Sequence, residues 1–165
     1  MNKISKIIYF FISTIFFIVF DLFASNAVYN NIEELPNNPV FDLISVQNTG
    51  AAFSILQNSK IFLVCFAIAA IITIAFYAIK HAAKSSTIAY FWTALLISGI
   101  FCNMYERIAF GYVRDYFKLN FINFPVFNIS DIFINISVLA IVIIIIKHNF
   151  SKNNETGNWW IFFWQ

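Results

Sequence analysis

The sequence is poor in charge, glycine, cysteine and histidine, and each shortage disfavours a class of protein. Only 11% of its 165 residues are charged, whereas a soluble domain has about 25%. With 4 glycines the chain has no glycine-rich phosphate loop, and its 2 cysteines make no disulfide framework. The net charge of +2 comes with no basic stripe for nucleic acid. His81 and His148 lie far apart, so no metal site is expected.

Long apolar runs are the abundant feature, since 61% of the residues are hydrophobic. Four runs reach the ~20 residues that a helix needs to cross a bilayer. They are 4–24, 61–79, 87–105 and 127–146. The first run can also be read as a cleaved signal peptide, with Lys3 and Lys6 before it and Ser25 to Ala27 as a weak cleavage site. Its length and the presence of Asp21 favour a retained span.

Basic residues predict the orientation, because lysine and arginine collect on the cytoplasmic side of a membrane. One side of the spans has Lys3, Lys6, Lys80, Lys84, Lys147 and Lys152, and the other has Lys60, Arg107, Arg114 and Lys118. We therefore expect cytoplasmic termini, with the loops 25–60 and 106–126 outside. Residues 1–150 form one integral membrane domain in this interpretation. Residues 151–165 form a cytoplasmic tail whose Trp159, Trp160 and Trp164 suit a membrane interface.

Polar residues meet at the outer ends of the predicted spans, and this asymmetry indicates a site. They are Asp21, Asn48, Glu106, Arg107, Asp115 and Asp131. Apolar and polar residues alternate over 113–121, which predicts a short strand with Asp115 turned inward. Residues 40–46 predict a second strand. The expected fold is an all-α membrane protein, a four-helix bundle with a small β platform on its extracytoplasmic face.

Asp115 and Asp131 can act together as a catalytic acid and base. Two carboxylates in a poorly solvated site do not both ionise easily, so one keeps a proton. The charged carboxylate can take a proton from water, and the protonated one can donate to a leaving amine. This chemistry suits peptide hydrolysis without a covalent intermediate. The structural alternative is that Asn128 and Asp131 cap the fourth span, while Asp115 pairs with Arg114 or Lys118.

The neighbouring polar groups have structural readings too. Asn48 to Gly50 can form a hairpin turn. Glu106 and Arg107 can form an ion pair at the membrane interface, and the Asp21 side chain can reach to the membrane edge. A serine–lysine hydrolase using Ser54 or Ser59 with Lys60 has only generic spacing in its favour. Ion conduction through Asp21 and Asp131 is disfavoured, because spans two and four are wholly apolar toward the cytoplasm.

Three ordered segments resemble the signature boxes of bacterial lipoprotein signal peptidase, also called signal peptidase II. They are VQNTGAAFSIL at 46–56, GYVRDYF at 111–117 and FPVFNISDIFI at 124–134. The resemblance implies an aspartic endopeptidase of the bacterial inner membrane, with its site on the extracytoplasmic face and no cofactor. It would cut prolipoproteins before a cysteine that carries diacylglycerol. Its partners would be these lipid-modified precursors and membrane lipids, and it would act as a monomer.

The resemblance also assigns roles to residues. Asp115 and Asp131 match the catalytic aspartates. Residues that would support the site or bind substrate are Asp21, Asn48, Gly50, Asn103, Glu106, Arg107 and Asn128.

Several positions depart from the family pattern GGxxGNxxDR, which here reads SGIFCNMYER. Ser98 and Cys102 replace glycines, Glu106 replaces an aspartate, and Asn26 stands where the first-span box has a lysine. Lost glycines predict altered helix packing. The alternative function is therefore an impaired relative that binds lipoproteins or lipids without cleaving them.

Overall fold

The computed structural model contains four long helices and one small sheet. In chain order the elements are α1 (Lys3–Asn30), β1 (Phe41–Asn48), α2 (Lys60–Lys80), α3 (Thr87–Phe110), β2 (Val113–Leu119) and α4 (Ile129–Lys152). The structure describes residues 1–33, 35, 39–51, 55–82 and 86–152, with the backbone alone for 147–152. From position 153 onward, the predicted tail lies outside the described residues.

All four helices are long and apolar enough to cross a membrane, which confirms the predicted four-helix architecture. Three helices run several residues past the predicted span ends, because α1 continues to Asn30, α3 to Phe110 and α4 to Lys152. The apolar runs stop earlier than the helices do. Polar residues in the last turns of α1 and α3, such as Ser25 and Glu106, are buried and hydrogen-bonded, so helix continues where hydropathy falls.

The third helix is the central element of the bundle. It packs against α1, α2 and α4, and 56% of its most apolar window is buried, against 11–17% in the other three helices. Its mean hydropathy is also the lowest, 1.5 against 2.4 to 2.7. The low hydropathy follows from this position, because a helix surrounded by protein has less need of lipid-facing side chains.

Small side chains allow close packing along α3. Ser98 is fully buried, and its hydroxyl donates to the carbonyls of Ala94 at 2.7 Å and Thr14 at 3.1 Å. Cys102 is also buried. The two residues that replace family glycines therefore fit between α1 and α3. On the α4 side, a Cβ on Gly99 would lie 2.6 Å from the Ser130 carbonyl oxygen.

The sheet covers the end of the bundle where α1 and α3 finish and α2 and α4 begin. Strands β1 and β2 pair antiparallel from Phe41 opposite Leu119 to Asn48 opposite Val113, with an irregularity between Leu43 and Val46. Both predicted strands are therefore present. The first four residues of β2 are buried on both faces, so simple alternation of apolar and polar residues accounts for Asp115 but not for its neighbours.

The opposite end of the bundle holds an apolar core. Its buried members are Phe10, Ala78, Ala82, Tyr90, Ala94 and Ile97. The Tyr90 hydroxyl donates to the Ala78 carbonyl at 2.9 Å, which satisfies a polar group that is otherwise enclosed. This core holds α1, α2 and α3 together far from the sheet.

Candidate active site

The two candidate aspartates are held by asparagine side chains. Asp115 lies on β2 and is 2% exposed. Its Oδ1 accepts a hydrogen bond from the Asn128 amide at 2.9 Å, and its Oδ2 accepts one from the Asn48 amide at 3.0 Å. The sequence prediction that Asp115 points inward is therefore confirmed, and the alternative that it pairs with Arg114 or Lys118 is wrong.

Asp131 lies in the first turn of α4 and is oriented by a reciprocal cap. The Asp131 backbone N–H donates to Asn128 Oδ1 at 2.9 Å, and the Asn128 backbone N–H donates to Asp131 Oδ2 at 3.3 Å. The other oxygen, Oδ1, accepts from the Asn103 amide at 2.9 Å. The capping interpretation is thus correct as geometry, and the cap places the carboxylate beside the polar residues of α3.

Asn128 connects the two aspartates directly. Its backbone bonds to Asp131, while its side-chain nitrogen donates to Asp115 and also to Asn103 Oδ1 at 3.1 Å. It is 3% exposed. Each of the four carboxylate oxygens thus receives a hydrogen bond from an asparagine, which leaves each oxygen with a further lone pair for water or substrate.

Burial and a neighbouring charge raise the pKa of Asp115. Its ordinary value of 3.8 rises to about 7, mainly because the carboxylate is desolvated and then because Asp131 is close enough to repel a second negative charge. Hydrogen bonds from Asn48 and Asn128 and the charge of Arg107 oppose this rise. Asp115 can therefore hold its proton close to neutral pH.

Arg107 fixes the backbone around the pair. One guanidinium nitrogen donates to the Asn103 carbonyl at 2.9 Å and another to the Gly50 carbonyl at 2.6 Å. The Gly50 N–H in turn donates to Asn48 Oδ1 at 2.9 Å, which turns the Asn48 amide nitrogen toward Asp115. The turn predicted at residues 48–50 exists, but it does not join β1 to β2, which are distant in sequence.

Asp21 belongs to a buried network next to the aspartates. It is 1% exposed, so the prediction of a side chain reaching the membrane edge is wrong. Its carboxylate accepts hydrogen bonds from Ser25 at 2.9 Å and from Ser130. Ser25 also bonds the Tyr116 hydroxyl at 2.9 Å. Since Ser130 precedes Asp131 and Tyr116 follows Asp115, the network holds the neighbours of both aspartates.

Glu106 does not pair with Arg107, contrary to one of the sequence interpretations. It turns to Arg114 instead, with a guanidinium nitrogen 2.6 Å from its carboxylate, and both residues are buried. The three polar residues in this part of α3, Asn103, Glu106 and Arg107, therefore make their contacts in two different places. Asn103 and Arg107 contact the aspartate site, while Glu106 contacts the adjacent strand residue.

Comparison with known proteins identifies the family of this chain. The sequence profile described as signal peptidase (SPase) II matches residues 13–147. The chain belongs to the signal peptidase II family. Its peptidase character follows from that membership, and with four candidate spans it is a multi-pass protein of the bacterial inner membrane.

Two curated members of the signal peptidase II family illustrate the similarity. The lipoprotein signal peptidase of Streptococcus thermophilus (strain CNRZ 1066) is 41% identical over 112 residues, which is 66% of this chain and 70% of that protein. The lipoprotein signal peptidase of Streptococcus agalactiae serotype Ia is 37% identical over 134 residues, 76% of this chain and 80% of that protein.

Solved structures share the fold. A bacterial membrane enzyme determined at 2.3 Å by the in meso method superposes with a TM-score of 0.76 and 24% identity, over 90% of this chain and 94% of that one. A second bacterial membrane enzyme, determined at 1.9 Å by the same method, superposes with a TM-score of 0.70 and 25% identity. The match covers 81% of this chain and 90% of that one. The four-helix bundle with its sheet is thus an experimentally observed architecture.

Sequence reasoning missed four residues around the aspartate pair. They are Ser25, Arg114, Tyr116 and Ser130, all of them buried. Ser25 follows Asp21 by one helical turn, a spacing that could have suggested the contact. Arg114 and Tyr116 depend on how β2 meets the helices, and Ser130 depends on how α4 meets α1; neither arrangement has a local signal. Among the described residues, no group of three His, Cys, Asp or Glu could hold a metal ion.

Proposed function

We propose that this chain is an aspartic endopeptidase that removes signal peptides from diacylglyceryl-modified prolipoproteins, cutting before the lipidated cysteine. The observation that carries the proposal is the pair Asp115 and Asp131, joined through Asn128 at the sheet end of the helix bundle. The relatives of this chain are named lipoprotein signal peptidases, which supports prolipoproteins as the substrate class.

The proposed mechanism uses the single proton that the pair holds near neutral pH. The ionised carboxylate takes a proton from water as the water oxygen attacks the scissile carbonyl carbon. The protonated carboxylate then donates its proton to the leaving nitrogen as the carbon–nitrogen bond breaks, and the pair regains one proton in total. The Asn48, Asn103 and Asn128 amides hold both carboxylates in place, so little reorganisation is needed during the reaction.

The surroundings of the site suit a substrate anchored in lipid. Helices α1 and α4 flank the aspartates and expose large apolar side chains, among them Phe23 at 74% and Leu139 at 61%. In this proposal the acyl chains stay in the bilayer against these helices, while the peptide crosses the aspartate pair. The lysine distribution supports a site on the extracytoplasmic face and termini in the cytoplasm.

Cleavage by purified protein tests the proposal against the alternative of a relative that binds without cutting. A synthetic precursor with a diacylglyceryl cysteine is incubated with the protein in lipid nanodiscs, and product masses are measured. We expect one cut, before the modified cysteine, and at least about 100-fold slower cleavage of the unmodified peptide, because the lipid supplies the binding that positions the bond. Binding of the precursor with no product would contradict the proposal.

A further inference from the structure

Arg114, the residue before Asp115, is held at several points by one carboxylate. Its backbone N–H donates to Glu106 Oε2 at 2.7 Å, and two guanidinium nitrogens donate to Oε1 at 2.9 and 2.6 Å. The remaining guanidinium nitrogen donates to Asn26 Oδ1 at 2.8 Å. One side chain on α3 therefore fixes both the main chain and the side chain of Arg114, and α1 supplies a further contact.

The surroundings of this ion pair are enclosed. Arg114 is 7% exposed and Glu106 is 5% exposed. The guanidinium carbon lies 5.2 Å from the centre of the Tyr29 ring and 4.7 Å from that of Phe110. A planar cation between aromatic rings that also forms a two-nitrogen contact with a carboxylate has little freedom to move. The ion pair of Arg114 and Glu106 is thus a rigid attachment point for β2.

Tyr116 gives β2 a second attachment on the same face. Its hydroxyl bonds Ser25 of α1 at 2.9 Å and accepts from the Ile129 N–H at the start of α4 at 3.3 Å. In a strand the residues on either side of a position point to the opposite face from it. Arg114 and Tyr116 therefore bind the helices with one face of β2, and the other face presents Asp115 to the site.

We propose that Arg114 is a positioning residue, which holds Asp115 at its distance from Asp131 by attaching β2 to Glu106 and Asn26. Its side-chain hydrogen bonds go to these two residues and not to either aspartate, so it acts through the backbone. The inference rests on the proposed function, since it concerns the same cleavage reaction. It gives roles to Asn26 and Glu106, two of the positions at which this chain departs from the family pattern.

Removal of the cation tests the proposal, with its relocation as the rescue. Arg114→Met should lower kcat by roughly 30-fold or more with KM changed less than about threefold, because displaced reacting groups slow chemistry more than binding. Adding Asn26→Lys to the Arg114→Met variant should recover at least about a third of the decrease in log kcat. Asn26 and Glu106 meet the same guanidinium group, so a lysine at position 26 places an ammonium beside Glu106.

The pH profile provides a readout that general destabilisation would not move. Asp115 faces the charges of Asp131 on α4 and Arg107 on α3, and the neutral amides of Asn48 and Asn128. A loosened β2 admits water and separates the two carboxylates, and both changes lower the pKa of Asp115. The alkaline limb of the kcat profile should therefore move to lower pH in Arg114→Met and return in the rescued variant.

Lys118→Met is the matched control, because it removes a cation from the same strand. Lys118 lies 3.8 Å from Asp42 with half of its side chain exposed, so its loss should leave kcat and the pH profile unchanged. If Arg114→Met does not fold, Arg114→Lys replaces it. That variant keeps the charge but lacks the two-nitrogen fork, and it should show a smaller loss of kcat in the same direction.

The outcomes separate this inference from the proposed function. Wild-type protein that fails to cleave the lipidated precursor refutes the function, and the inference with it. Active wild-type protein with an unchanged kcat and pH profile in the Arg114 variants refutes the inference alone. So does a rescue by Asn26→Lys that restores the melting temperature without restoring kcat.

Discussion

The two ends of the helix bundle are stabilised by different kinds of contact. At one end, Phe10, Tyr90 and their neighbours form an apolar core with few polar groups. At the other, Asp21, Glu106, Arg114 and Asp115 are as well buried, yet each is bound by hydrogen bonds or charge. Buried polar groups are costly unless every partner is in place, so this end depends on exact partners where the other depends on volume.

The comparison shows which end of the molecule tolerates change. Apolar packing loses stability gradually when atoms are removed, whereas a polar network loses geometry when a single donor is lost. We therefore expect variants within the buried polar network at the sheet end to lower the rate of cleavage per folded molecule. Variants at the other end should lower the folded fraction and leave the rate alone.

Among variants of the residues around the two aspartates, Asn128→Ala should have the largest effect. The change removes the side-chain amide that donates to Asp115 and Asn103 and that accepts from the Asp131 N–H. We expect kcat to fall by about 10²–10³, the usual cost of losing a well-placed donor, and the melting temperature to fall as well. Asn120→Ala is the control, because its amide bonds the partly exposed Asp42 away from the site. Equal kcat in the two variants would contradict the proposed role of Asn128.

Gly99→Ala should have the next largest effect, through the packing of α3 against α4. Its new Cβ would lie 2.6 Å from the Ser130 carbonyl oxygen, so the first turn of α4 must move and carry Asp131 with it. We expect a loss of kcat of roughly 10-fold or more.

Gly111→Ala is the matched comparison for Gly99. Its φ of +90° strains an alanine, but no atom lies within 4 Å of the new Cβ. We expect it to lower the melting temperature with less than about a threefold change in kcat. A larger loss of kcat at Gly111 than at Gly99 would contradict the packing argument.

Asp115→Asn should change the pH dependence of stability. Between pH 3.8 and about 7 the folded protein holds a proton on Asp115 that the unfolded chain has released. The free energy of unfolding therefore decreases as pH rises through this range and levels off above it. The asparagine removes this loss, so the melting temperature of the variant should gain a few degrees on wild type between pH 4 and pH 8. A variant whose melting temperature gains on that of wild type as the pH falls from 8 to 4 would contradict the raised pKa.

Tyr90→Phe should have the smallest effect and affect stability alone. It removes the hydroxyl that donates to Ala78 in the apolar core, at a cost of about 1 kcal/mol or a little more for the carbonyl left unpaired. Denaturation in detergent should register this loss, and kcat per folded molecule should equal that of wild type. A fall in kcat would show that the two ends of the bundle are coupled.

The difference between the two ends of the bundle also explains how much of the structure could be predicted from the sequence. The spans followed from apolar runs, and Asp115 followed from its phase in an alternating segment. The cap of Asp131 by Asn128 was readable because capping is local. The Arg114 partner of Glu106 and the Ser130 partner of Asp21 were not, since the first depends on how β2 approaches α3 and the second on how α4 approaches α1. An acidic residue near several cations has no sequence signal that selects one of them.

The most direct measurement is the rate of precursor cleavage by Asp115→Asn and Asp131→Asn, each compared with Asp42→Asn. All three replace an aspartate by its nearest neutral equivalent, but Asp42 is on the exposed edge of the sheet, paired with Lys118. We predict that both site variants fold, bind the lipidated precursor and lose at least about 10³-fold in kcat, while Asp42→Asn cleaves at the wild-type rate. Cleavage at the wild-type rate by either site variant would contradict the account.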